Sequence, residues 1–165
     1  MDSMKFLTML TYLIIGTLVL LQTCSHAQNS PQDYVDAHNQ ARAADGVGDI
    51  EWNETVAAYA ENYANQRAAD CALIHSDTNG LYGENIGVGP ELTGIGAVEM
   101  WVKEKPNYDY DSNTCADNEM CGHYTQVVWS NSVGLGCARV QCNNGNFFVT
   151  CNYSPPGNFI GEKPF

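Results

Sequence analysis

The nine residues from Cys121 to Trp129 place an imidazole, that of His123, at the start of an apolar run. The apolar residues from Tyr124 onward predict a buried strand, and Cys121 is expected to anchor the turn before it. Histidine titrates near neutral pH and is a common metal ligand, but a single histidine beside a strand is more often structural. His123 therefore needs partners from elsewhere in the chain before a chemical role can be assigned to it.

Two more histidines lie near predicted helices. His38 falls inside the first predicted helix, with Arg42 one turn later, and we interpret it as a structural residue that is hydrogen-bonded in the interior. His75 comes just after the second predicted helix, close to Cys71, so a disulfide at that cysteine would hold it in place.

Two glutamates compete for an inward position on the third predicted helix. Glu99 and Glu104 are five residues apart, which is about 140° around an α-helix, so both cannot face the same pocket. Glu104 shares roughly the side of Trp101, and we expect Glu104 to point inward and Glu99 to face solvent.

The first 27 residues are predicted to be a secretory signal. Lys5 precedes an apolar run from Phe6 to Leu21, and Ser25-His26-Ala27 supplies small residues at a cleavage site. The alternative is a membrane anchor, but sixteen residues are fewer than the roughly 20 that a spanning helix needs. Residues 28–165 would then form the mature chain, which fits one domain, with no stable membrane insertion.

Cysteine usage supports a secreted protein. Removing Cys24 with the signal leaves six cysteines, and an even number in a secreted chain implies three disulfides rather than a zinc site. The short separation favours Cys115–Cys121, and a predicted hairpin places Cys137 opposite or nearly opposite Cys151. Cys71 and Cys142 remain as the third pair.

The charge excludes one class of partner. The chain has 19 acidic and seven basic residues, for a net charge of −12, and losing Asp2 and Lys5 with the signal leaves that value unchanged. Six scattered cations cannot build a groove that follows phosphates, so nucleic acid is not an expected partner.

The remaining elements follow from caps and periodicity. Helices are predicted over about 31–45, after the cap Ser30, over 53–70 and over about 93–105. The asparagine- and glycine-rich turn 143–146 separates two strand patterns, 133–141 and 147–153, and so predicts a hairpin. We expect residues 79–90 to be a glycine-rich loop and residues 155–165 to be irregular coil outside the sheet.

Six ordered motifs resemble the plant pathogenesis-related protein 1 family, within the CAP superfamily. They are His38-Asn39-x-x-Arg42, His75-Ser76, Gly83-Glu84-Asn85-Ile86, Trp101-Val102-Lys103-Glu104, Gly122-His123-Tyr124-Thr125-Gln126-Val127-Val128-Trp129 and Cys151-Asn152-Tyr153 through Gly157-Asn158. The resemblance covers essentially all of residues 28–165 as a single CAP domain. It implies an α+β fold, a three-layer α-β-α sandwich with three disulfides.

The resemblance also implies a central cleft formed by His75, Glu84, Glu104 and His123. Two imidazoles and two carboxylates suit a divalent cation such as zinc, and the alternative is a cavity satisfied by hydrogen bonds and water. The family resemblance further implies a defence role against fungi and oomycetes, with sterol or another lipid as ligand. The acidic charge places the chain among members expected in the apoplast.

The function is therefore expected to be binding rather than catalysis. Tyr108-Asp109-Tyr110 is a candidate lip for an apolar groove. The alternative is a metal-dependent extracellular hydrolase in which a glutamate of the cleft acts as base, although no recognisable nucleophile or protease motif occurs.

The C-terminal segment resembles the family's immune-signalling peptide. On that resemblance, cleavage between Ser154 and Pro155 would release residues 155–165 to a receptor. Because a proline after the scissile bond resists most proteases, a dedicated protease is an expected partner.

Overall fold

The computed structural model describes residues 29–165, and the predicted signal lies outside this part of the chain. Its secondary structure comprises α1 (Pro31–Ala44), β1 (Glu51–Trp52), α2 (Glu54–Arg67), β2 (Gly83–Gly89), α3 (Gly94–Val102), a 3₁₀ turn (Lys105–Asn107), β3 (Tyr108–Asp109), β4 (Thr114–Cys115), α4 (Gly122–Val127), β5 (Gly134–Gln141) and β6 (Phe147–Ser154). No helix within residues 29–165 is long and apolar enough to cross a membrane.

Local capping explains where the three longer helices begin. Ser30 and Asp33 form a reciprocal capping box, and Pro31 occupies the first position of α1. The side chains of Asn53 and Thr93 accept hydrogen bonds from the first turns of α2 and α3. The three predicted helices are confirmed, with ends a few residues earlier than expected because each closes in a short turn.

The main sheet has the strand order β1-β5-β6-β2, with β1 parallel to β5 and the other neighbours antiparallel. Helix α2 packs on one face, while α1, α3 and α4 cover the other. Alternation along β6 divides its side chains between the layers: Val149 and Cys151 face the three helices, and Phe148 faces the side of α2. This is the three-layer α-β-α sandwich.

The predicted hairpin and disulfides are present. Strands β5 and β6 pair over their full length, with Cys137 opposite Cys151. Bonds join Cys71 to Cys142, Cys115 to Cys121 and Cys137 to Cys151. The first ties the end of α2 to the end of β5, which holds the segment leading to His75 against the domain.

Two predicted elements were wrong. Residues 124–129, expected to be a strand, fall largely in α4 and the turn after it, and Tyr124 and Val127 to Trp129 are all buried. A short run that is buried on every side has the same pattern in a strand and in a helix.

The glycine-rich residues 83–89, expected to be a loop, form β2, which pairs with β6 over seven residues. Gly87 lies against the side chain of Met100 where this strand meets α3.

The C-terminal segment is coil, as predicted, but it is not detached from the domain. Ser154 is the last residue of β6, and its carbonyl accepts a hydrogen bond from the backbone N–H of Val133. Pro164 is buried, and its carbonyl accepts a hydrogen bond from the Ser130 N–H. The predicted coil outside the sheet is therefore confirmed, and the segment packs on the domain at both ends.

Candidate functional site

A cleft of about 360 Å³ opens between β2, α3, α4 and the segment after Cys71. We call it the histidine cleft because it is lined by both His75 and His123. Its other lining residues include one carboxylate and a set of apolar side chains, namely Glu104, Leu73, Ile86, Val88, Met100, Trp101 and Met120.

His75 is held by a carboxylate on β2. Its Nδ1 lies 2.8 Å from Oε1 of Glu84, whose oxygens also accept hydrogen bonds from the backbone and hydroxyl of Ser76 and from Asn152. The Glu84 hydrogen bond raises the pKa of His75 against the smaller opposing effect of burial. Burial alone would raise the pKa of Glu84, but the hydrogen bonds from His75, Ser76 and Asn152 together lower it. Glu84 is thus an ionised positioning group, and neither of its oxygens is left for the base role considered in the hydrolase alternative.

His123 is held in the same way from the other side of the cleft. Its Nδ1 lies 2.7 Å from Oε1 of Glu104, and its backbone N–H donates to Oε2 at 3.0 Å. The ring stacks on the buried indole of Trp101, with 6.3 Å between ring centroids and 15° between planes. The predicted inward position of Glu104 is confirmed, and Glu99 is exposed.

The four residues of the predicted cleft set therefore form two histidine–glutamate pairs. Within residues 29–165, no group of three or more histidine, cysteine, aspartate or glutamate side chains could hold a metal ion. Since each glutamate contacts Nδ1, the nitrogen available to a cation on each ring is Nε2. In metal sites, a carboxylate commonly hydrogen-bonds the ring nitrogen of a histidine that does not bind the metal, and so orients the ring. Two ring nitrogens suit a zinc-like cation that also keeps water ligands, and the cation site formed by the four residues stays a prediction.

A buried network beneath the cleft was not found from the sequence. The side-chain amide of Asn85 donates to the backbone carbonyl of His123 at 3.0 Å and to the hydroxyl of Tyr153 at 3.1 Å. Tyr153 can then donate its own proton to Nε2 of His38, 2.9 Å away, while Nδ1 of His38 donates to the carbonyl of Tyr34. This network supports the backbone of His123 from below.

His38 is structural, as predicted. It is fully buried, and burial lowers the pKa of His38 to about 4 despite its hydrogen bond to the Tyr34 carbonyl. A neutral imidazole is required here, because one ring nitrogen must accept the hydrogen bond from Tyr153. The spacing of His38 in an amphipathic helix was the signal that identified it, whereas nothing in the sequence pairs Tyr153 with Asn85.

A second cavity, of about 410 Å³, lies between α1 and α3. We call it the α1–α3 groove; its apolar lining consists of Ala37, Ala41, Ala44, Ile95, Val98 and Val102. The predicted lip Tyr108-Asp109-Tyr110 does not border it. Tyr110 instead stacks on Phe165, with ring centroids 5.0 Å apart, so the tyrosine lip is corrected to a contact with the C-terminal segment.

Comparisons with known proteins agree with this architecture. The model of the cysteine-rich secretory protein family, CAP, matches residues 35–153. Pathogenesis-related protein 1A of Nicotiana tabacum is 58% identical over 170 residues, covering all of both chains. A pathogenesis-related protein of the PR-1 type from Sambucus nigra is 60% identical over 153 residues, covering 92% of this chain and 90% of the relative. The structure of venom allergen-like protein 4 of Schistosoma mansoni matches with a TM-score of 0.69 and 25% identity, covering 82% of this chain and 92% of that chain.

Proposed function

This chain belongs to the cysteine-rich secretory protein family and, within it, to the plant pathogenesis-related protein 1 group, and from that premise we propose that it is a secreted defence protein that acts by binding. The observation that carries the proposal is the 58% identity to a pathogenesis-related protein over the whole length of both chains. Three disulfides suit an oxidising extracellular environment. We assign the protein to the apoplast, in keeping with its net charge of −12.

The proposed ligand is a sterol or another uncharged lipid, and the α1–α3 groove is its proposed site. The groove's volume of about 410 Å³ lies within the range of small-molecule pockets, and six of its nine lining residues are apolar. An uncharged ligand is not repelled by the acidic surface. Sequestration of sterol would act against fungi and oomycetes that need it from outside.

The histidine cleft is a separate proposed site, for a divalent cation such as zinc. His75 and His123 would hold the cation through Nε2, and Glu84 and Glu104 would keep the two rings in the required orientation. A bound cation would supply a positive charge in an acidic protein and positions for water or an oxygen ligand. Both oxygens of Glu84 and both oxygens of Glu104 already have hydrogen-bond partners, so no observation favours the glutamate base of the hydrolase alternative.

The double substitution His75→Ala/His123→Ala is expected to abolish zinc binding and to leave sterol binding within twofold of the parent. Calorimetric titration with zinc and a sterol-binding assay on the same preparations would measure both quantities. The matched control is Glu51→Ala, which removes an exposed carboxylate on β1 that lines neither the histidine cleft nor the α1–α3 groove. An equal loss of zinc and sterol binding in the double variant would show that the two ligands share one site and would contradict the separation proposed here.

The third part of the proposal concerns residues 155–165 as an immune-signalling peptide. Release requires cleavage between Ser154 and Pro155, and a dedicated protease and a receptor are the proposed partners. Because the Ser154 carbonyl is bonded to Val133 and the Pro155 carbonyl to the hydroxyl of Ser132, a protease must first detach this end of β6.

A further inference from the structure

The C-terminal segment 155–165 occupies a groove on the surface of its own domain. We call this surface the tail groove; it is formed by the hairpin Tyr108–Cys115, by α4 and by Trp129. Segment and groove meet at two clusters of contacts, which are separated by exposed residues. Each cluster depends on particular side chains. A coil that packed without specificity against the surface would not make such contacts.

The first anchor is Gly157-Asn158. The backbone N–H of Gly157 donates to Oε1 of Gln126 at 3.1 Å, and a Cβ on Gly157 would stand 2.5 Å from the ring of Trp129. Both polar atoms of the Asn158 side-chain amide are hydrogen-bonded. The amide nitrogen donates to the carbonyl of Gly122 at 2.8 Å, and the amide oxygen accepts from the hydroxyl of Thr125 at 2.7 Å. Only glycine fits the first position, and only an asparagine-like amide satisfies both partners at the second.

The second anchor is the chain end. The ring of Phe165 stacks on Tyr110, and the Tyr110 hydroxyl donates to the backbone carbonyl of Phe165. The ammonium of Lys163 lies over the same Tyr110 ring, 4.3 Å from its centre. The side chain of Asn113 donates to the carbonyl of Glu162 at 3.0 Å. Pro164 is buried here and accepts the Ser130 N–H at 2.7 Å.

The residues between the anchors contribute little to the contact. Ile160 is fully exposed and Phe159 is 51% exposed, although the Phe159 ring meets the edge of Trp129. The segment is therefore held at its two ends and presents its middle to solvent.

From this arrangement we propose that the tail groove is a peptide-binding site whose ligand is the chain's own C-terminal segment. The site recognises Gly-Asn near one end and Pro-Phe at the carboxyl terminus. In the intact protein the groove buries Pro164 and engages the polar groups of Gly157 and Asn158 and the ring of Phe165, so that these contacts are not free for other partners, although Asn158 and Phe165 keep exposed surface. For the signalling part of the proposed function, it follows that cutting after Ser154 does not by itself free the peptide, which must also leave the groove.

The covalent connection between the segment and the domain sets an upper limit on the dissociation constant of the segment for the tail groove. A short flexible connection gives a tethered ligand an effective concentration on the order of millimolar. A segment that is docked in the intact chain must therefore bind its groove with a dissociation constant below about 1 mM when it is added as a separate peptide.

The test uses a full-length variant whose own tail is undocked while the groove is intact. Asn158→Asp together with Phe165→Ala removes the amide donor to Gly122 and the stack on Tyr110. Hydrogen exchange at the Ser130 amide, which is bonded to Pro164, should become at least tenfold faster than in the parent. A synthetic peptide of residues 155–165 should then bind this variant with a dissociation constant below about 1 mM and restore Ser130 protection. The intact parent should not bind it, because its groove is occupied.

Two controls make the result specific. A peptide carrying the same two substitutions should not bind the undocked variant, and Ile160→Ala, which changes only an exposed residue, should leave Ser130 as protected as in the parent. If the double variant does not fold, Phe165→Ala alone gives the same comparison.

The proposal is overturned if Ser130 stays protected in the undocked variant, or if the peptide shows no saturable binding at 1 mM. Since the peptide is synthetic, neither result depends on cleavage in the plant. Failure to find the free peptide in challenged tissue would count against release and not against the groove.

Discussion

Arg42→Met is expected to lower the free energy of unfolding by about 3 kcal/mol or more. The Arg42 side chain is fully buried, and no ion pair within residues 29–165 includes it. Its guanidinium instead donates to four backbone carbonyls, those of Gly48, Val127, Trp129 and Ser132, at 2.7 to 3.1 Å. Methionine has a similar length but no donor, so these carbonyls lose their shared partner in the interior.

Thermal and denaturant unfolding of Arg42→Met would measure this loss, which corresponds to a melting temperature lower by roughly 10 °C. Arg42→Lys should also be destabilised, because a single ammonium cannot reproduce the planar fork. Lys103→Met removes an exposed cation and serves as the control. A loss below about 1 kcal/mol in Arg42→Met would contradict a structural role for these hydrogen bonds.

Gly136→Ala is expected to be destabilising by about 3 kcal/mol, at the upper end for added volume in a packed interior. A Cβ at this position would overlap the backbone nitrogen of Ala57 and the carbonyl carbon of Val56 on α2. Backbone atoms of a helix cannot move aside as a flexible side chain can, so α2 would have to shift away from β5.

Equilibrium unfolding of Gly136→Ala should be compared with that of Gly48→Ala. A Cβ at Gly48 would meet no atom within 4 Å, and Gly48 does not have a positive φ. The control is therefore expected to change stability by less than about 0.5 kcal/mol. Equal stability of the two variants would mean that α2 does not approach the sheet as closely as described.

The longer helices, the hairpin and the three disulfides could be predicted because their signals are local. Ser30, Asn53 and Thr93 are capping residues, and cysteine spacing with one hairpin was enough to pair the half-cystines. Helix α4 and strand β2 could not be predicted in the same way. Their residues are buried by elements distant in sequence, which removes the alternation that separates a strand from a helix.

In the candidate site, too, the local features could be predicted and the arrangement in space could not. The identities of His75, Glu84, Glu104 and His123 came from motifs, and the inward position of Glu104 followed from helix geometry. The arrangement of these four residues as two histidine–glutamate pairs could not be predicted, because it depends on where β2 and α3 lie relative to each other. The docked C-terminal segment was also missed, since Gly157 and Asn158 carry a signal only when Trp129 and Thr125 are known to be their neighbours.

The central claim, defence by withholding sterol, is tested most directly by growth of a sterol-dependent oomycete in the presence of the purified protein. The parent protein should inhibit growth, and excess added sterol should remove the inhibition. Ile95→Glu, which places a charge in the α1–α3 groove, should inhibit at least tenfold less, while Leu81→Glu, at an exposed apolar residue away from that groove, should behave as the parent. Inhibition that persists in excess sterol and is equal in Ile95→Glu would contradict the account.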